Sequence, residues 1–222
     1  MLGWHFLAQD RKLAYRDGRT VEAGQTYTVP NDKLLLLCQY GLHACKKVLD
    51  ALQYAKGPIV CRVELIGKIE HDTDKSVAYK RRVLAMLDAT NILHEFACLC
   101  AEDALKLVKN PDPRSIAAIK AKRDWVAGKI TDKELVAARD AAKDAAWDAA
   151  WAAAWGAARD ADRDAARDAA WDAARAAARD AAWDAARRAA RRAAWGAARD
   201  AQNKRLTSMI KSVLPVMVRQ GG

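Results

Sequence analysis

Ile59-Val60-Cys61-Arg62-Val63-Glu64-Leu65-Ile66 is the stretch on which the fold turns. Its β-branched content and its length of eight residues read as a strand, and Gly57-Pro58 immediately before it closes whatever precedes. What precedes is Lys46 to Lys56, where Val48, Leu49, Leu52 and Ala55 recur at helical spacing. A short helix feeding a strand, in a segment otherwise built of short runs, points to a small α+β unit. Those runs lie further toward the N-terminus. Gly3 to Ala8, Lys12 to Arg16 and Gln25 to Val29 are separated by the turn signals Asp17-Gly18 and Ala23-Gly24, which predicts several short antiparallel strands.

Toward the C-terminus the period lengthens. From Asp74, the residues Val77, Val83, Leu84 and Leu87, then Ile92, Leu93, Phe96, Ala97, Cys100, Ala104 and Leu107, recur at three and four, predicting a helical layer against the strands. Asn110-Pro111-Asp112-Pro113 interrupts it. The next helix is capped near Asp112 or Ser115 and stopped by Gly128, and Thr131-Asp132-Lys133-Glu134 has the spacing of a capping box. That box opens into sixteen tetrads of the form Ala-Ala-X-Z between Ala137 and Asp200, with 33 alanines in 64 residues. Six of the X positions are tryptophan: Trp147, Trp151, Trp155, Trp171, Trp183 and Trp195. Alanine is the strongest helix former, so helix is expected throughout.

The expected fold class is therefore α+β: a small mixed strand and helix N-terminal domain, then helices, then a long Ala-rich, coiled-coil-like helical tail. The expected divisions are 1–73 for the head, 74–130 for the helical layer, 131–200 for the repeat and 201–222 for a C-terminal helix and short tail. Since nearly all Leu, Ile, Val and Phe precede Ala127, the head is expected to fold without the repeat. A period of four drifts by about 40° per tetrad on a helix of 3.6 residues per turn, so no single face collects the tryptophans. Supercoiling with partners, folding back into hairpins and a solitary rod all remain open. Exposed tryptophans disfavour the rod, and the six are assigned to self-association.

The chain carries 38 Lys and Arg against 28 Asp and Glu, a formal net charge of +10, of which the repeat holds only +1. The remaining excess is dispersed in short runs such as Lys80-Arg81-Arg82, which read as solvated helix faces, so nucleic acid is a partner that is not favoured. No run is long and apolar enough for a membrane span, and the first residues lack a signal core, so a cytoplasmic protein is expected. The odd set Cys38, Cys45, Cys61, Cys98 and Cys100 reads as reduced thiols packed as small hydrophobes. Cys38, His43 and Cys45 lack the paired spacing of a metal site; neither metal nor cofactor is expected. No phosphate-binding Gly-rich loop, zinc-protease motif or nucleophile elbow occurs.

Gly41-Leu42-His43-Ala44-Cys45, the following Leu49 to Ala55 helix and the Ile59 to Ile66 strand resemble a family of small uncharacterised proteins common in bacteriophages and prophages. Asp132-Lys133-Glu134-Leu135 and Gln202 to Leu206, which flank the repeat, resemble the tails of such proteins. That resemblance implies a phage provenance and, as biological class, host takeover or defence evasion. Joined to the self-association assigned to the tryptophans, it gives the expected function, a non-enzymatic accessory protein of the host cell cytoplasm that self-assembles through its Ala- and Trp-rich region and binds an unknown host or phage factor. A second resemblance is to ADP-ribosyltransferase-like folds, in which His5 of Gly3-Trp4-His5-Phe6 matches a first-strand histidine and His43 a second site position. It implies a transferase or nucleotide-binding protein with a cleft around His5, His43 and Tyr54. Such a transferase needs a late-strand Glu; Glu95 falls in a segment that reads as helix, and Glu64 and Glu70 lie too early.

Overall fold

The fold is that of a computed structural model, which describes residues 1–13, 17–37, 39–146, 148 and 196–214. Five strands form one antiparallel sheet: β1 (Leu2–Leu7), β2 (Thr26–Thr28), β3 (Leu42–Ala44), β4 (Ile59–His71) and β5 (Ser76–Asp88). Helix α1 (Val48–Gln53) lies between β3 and β4, while α2 (Thr90–Leu105) and α3 (Pro113–Val126) follow the sheet. The centre is the β4–β5 hairpin, two strands of 13 residues turned tightly where the Asp72 amide donates to the Lys75 carbonyl at 2.9 Å. β1 pairs with β4, and both β2 and β3 pair with β5. Trp4 and Cys45 then exchange both backbone bonds, at 2.8 and 2.9 Å, so the path from β1 through β4, β5 and β3 returns to β1. This closure brings His5 and His43 onto facing strands.

The core gathers Leu7, Leu13, Val21, Tyr27, Leu42, Ile59, Cys61, Val63, Leu65 and Val83, all buried. Cross-strand pairs such as His5–Cys61, Leu7–Ile59 and Val63–Val83 show which face is enclosed. Cys45, Cys61 and Cys98 are buried and in no disulfide, and burial pushes the Cys45 and Cys61 thiols up to about 12.

The expected fold class is corrected in two places. Residues from Asp74 do not begin a helical layer: Ser76–Asp88 is the central strand β5. Val77 and Ala78 are both fully buried, so here the strand is covered on both faces and the alternation that marks a half-exposed strand is lost. The long coiled-coil-like tail is likewise not what the described ends of the repeat form. The capping box closes as expected, with the Thr131 amide donating to Glu134 Oε2 at 2.8 Å and the Glu134 amide to Thr131 Oγ1 at 3.3 Å. The helix it opens, over 132–146, takes a partner within the chain: Arg114 Nη2 of α3 donates to Asp148 Oδ2 at 2.9 Å. At the far end, the helix over 196–211 buries Leu206 and Ile210 completely. A four-residue period offers no continuous seam to a partner helix, whereas these contacts inside the chain are specific. The intervening tetrads lie outside the described residues, and with them Trp147, Trp151, Trp155, Trp171, Trp183 and Trp195.

The chain divides into two compact units, Met1–Phe96 with Ala201–Gly222, and Ala97–Asp200. The first unit therefore includes the segment after the repeat, and α1 shows why. Lys47 at its N-cap makes no side-chain capping bond, which leaves the amides of the first turn in need of acceptors. The Leu49 amide donates instead to Asn203 Oδ1 at 3.1 Å, a cap supplied from 154 residues away. In the second unit α3 exposes all its residues at least partly and is held by charge pairs, among them Glu102 with Arg123, whose Nη2 lies 3.1 Å from Glu102 Oε2. Asp112 caps α3 by accepting from the Arg114 amide at 2.8 Å, with Pro113 as its first residue, and Gly128 ends it at φ +70°.

Candidate functional site

β1 sets His5 between two buried apolar residues, Trp4 and Phe6. His43 occupies the middle of β3, three residues long, which Gly41 introduces. At φ +117° Gly41 sits in backbone territory that side chains disfavour, and a Cβ there would lie 2.3 Å from Val77 Cγ2. Glycine at position 41 is thus a steric requirement of the tight entry onto β5. Tyr54 follows α1 as its C-cap and is 46% exposed. Its hydroxyl donates to Asp74 Oδ2 at 2.7 Å, and Lys75 Nζ lies 4.7 Å from the ring centroid.

These three residues, singled out in the sequence, line one cavity of about 290 Å³. Its walls are Trp4, Phe6, Leu13, Ala44 and Ala51, and its charged groups are Asp10, Lys12, Lys56 and Lys75. A second cavity of about 230 Å³ shares His5, Leu13 and His43 with the first and adds Tyr40, Gly41 and Arg81. The two imidazoles therefore border both spaces.

Burial, the Arg81 guanidinium and the neighbouring His43 hold the His5 imidazolium form well below its ordinary range. His43 is pushed down to about 4, chiefly by burial, then by Arg81 and Lys75, against the opposing effect of a backbone hydrogen bond with Gly41. Both rings are neutral near pH 7. A neutral imidazole offers one N–H and one acceptor nitrogen, a set suited to hydroxyl groups, while the three lysines favour a ligand carrying negative charge.

Sequence reasoning missed the three lysines and, above all, Arg81. Read as part of a solvated run, Arg81 is 2% exposed, paired across β5 with Tyr27 and Leu65. A period-two reading of Arg81 to Met86 would have found it, because burial alternates through those residues with Arg81, Val83 and Ala85 inside. The carboxylate of a transferase is not supplied by β5, which contains no Glu, and Glu95 lies within α2. Among the described residues no group of three His, Cys, Asp or Glu side chains is placed to hold a metal ion, and no helix is long and apolar enough to cross a membrane.

Residues 1–95, the segment holding the whole sheet and both cavities, match the family model of a domain of unknown function (DUF7666). No curated protein and no solved structure matches the chain.

Proposed function

We propose that the head is a binding module for a nucleotide-like ligand, with a planar ring and sugar hydroxyls seated in the first cavity. The observation that carries this reading is the convergence of His5, His43 and Tyr54, from three separate elements, on one cavity of about 290 Å³. A pocket mostly apolar, with a few polar groups converging on it, is what small-ligand sites share. Trp4, Phe6 and Tyr54 offer ring surface, the neutral imidazoles offer hydroxyl partners, and Lys12, Lys56 and Lys75 on the same wall favour a ligand that is negatively charged as a whole. Binding rather than group transfer is favoured, because β5 contains no Glu and Glu95 lies within α2.

Thermal melts of the full chain with adenosine, mononucleotides or NAD test the reading, since a ligand that binds the folded state alone raises its apparent stability by mass action. Stabilisation by at least one of these is expected for the wild type and its loss for His43→Ala, with the melt of that variant alone lowered by no more than the cost of one unsatisfied partner, about 1 to 3 kcal/mol. No shift at millimolar ligand would overturn it.

A further inference from the structure

Arg81 is enclosed in the sheet with its charge unanswered. Nη1 donates to the His43 carbonyl at 2.8 Å, Nε is buried without a hydrogen-bond partner, and no carboxylate among the described residues pairs with the guanidinium. Asp17, the acid bordering the same cavity, is engaged by Arg19 through two contacts of 2.6 Å. A single bond to a carbonyl does not call for a guanidinium; a neutral donor would serve. Taking a full positive charge out of water without a counter-charge is costly, so a structural role alone leaves the residue unexplained. What a guanidinium does better than other side chains is present several donors in one plane to the oxygens of an anion.

The space for such an anion is the second cavity, whose wall includes Arg81 together with Tyr40, Gly41 and the two imidazoles. Burial and Arg81 itself keep both histidines neutral near pH 7, so the guanidinium is the positive group on that wall. Lys12, Lys56 and Lys75 border the first cavity and not this one.

We infer that Arg81 is the base of an oxyanion subsite in the second cavity, taking a phosphate group. Resting on the reading of the first cavity given above, the ligand is then a nucleotide that passes between the two spaces at His5 and His43, its nucleoside part on the Tyr54 side and its phosphate on the Arg81 side.

The test follows the Arg81 Nε–H resonance of the ¹⁵N-labelled full chain, assigned through its own backbone, while inorganic phosphate is added against chloride at matched ionic strength. A saturable shift with phosphate and not with chloride is expected, together with AMP stabilising the fold at a tenfold or lower concentration than adenosine. In Arg81→Lys that tenfold preference should fall away; the wild-type titration stands if this variant does not fold. An Arg81 resonance unmoved by phosphate and by AMP overturns the subsite. If adenosine stabilises and AMP does no better, the subsite fails and the first cavity stands. A phosphate response without any effect of adenosine keeps the oxyanion subsite and removes the nucleoside from the first cavity.

Discussion

Residues 201–211, the part of the C-terminal helix that belongs to the first unit, should be a structural part of the head, and their removal should cost the head most of its stability. Leu206 and Ile210 are each 0% exposed and lie one turn apart on the same helix face. Truncating a fully buried Leu or Ile to Ala costs roughly 2 to 5 kcal/mol through lost transfer energy and the cavity left behind. As neighbours they share whatever relaxation follows, so Leu206→Ala with Ile210→Ala should cost about 4 to 8 kcal/mol, less than the sum of the extremes. A domain's whole stability is about 5 to 15 kcal/mol, so the double variant should be near or past its unfolding midpoint without denaturant. Asn203→Ala removes the acceptor of the Leu49 amide and should cost about 1 kcal/mol, as the loss of a capping side chain does. Urea unfolding of the full chain followed by circular dichroism measures all three, with an unchanged slope showing that stability alone has moved. A double variant within about 1 kcal/mol of wild type would refute the reasoning, since burial of that extent cannot be removed so cheaply.

Acid should destabilise the head before its carboxylates titrate. His43 has a folded pKa of about 4 against 6.5 for the free group, so between those values the unfolded chain holds more protons and stability falls as pH drops, by at most about 1.4 kcal/mol per unit. Solvent reaches part of the ring, so the total is about 1 to 3 kcal/mol, levelling off below pH 4, and His5, also depressed, acts in the same direction. Urea midpoints at pH 7, 5.5 and 4.5 check this, and a flat profile across that window would contradict it. Gly41→Ala should lower stability by at least about 1 to 3 kcal/mol from backbone strain alone, with the contact against Val77 added; a thermal melt matching wild type would show that the turn relaxes freely.

Several parts of this architecture are legible in the chain because a local chemical rule decides them. Ile59 to Ile66 is a strand by its β-branched side chains, Thr131 with Glu134 is a helix start by reciprocal capping, and Asp112-Pro113 and Gly128 bracket α3. The pairing of His5 with His43 in one cavity is decided by no such rule: it is what the resemblance to ADP-ribosyltransferase-like folds implies, and both residues line the first cavity. The return of Leu206 and Ile210 was not legible, because two apolar residues one turn apart say that a helix is buried on one side and nothing about what covers it.

The misreading of β5 and the oversight of Arg81 have one cause. Lys80-Arg81-Arg82 looks like a solvated face only if charge is assigned to solvent before the period is counted, and Val77, Val83, Leu84 and Leu87 then satisfy a helical spacing as well as a strand covered on both faces. Counted as a strand, the same residues alternate inside and out from Arg81 to Met86, and the position that should be apolar holds a guanidinium. A residue that breaks the local pattern without an evident compensating partner is where a fold departs from its own stability rules. Arg81 departs in this way beside a cavity it shares with two neutral histidines, which is why an anion, rather than a missed packing contact, is the physical answer to its charge.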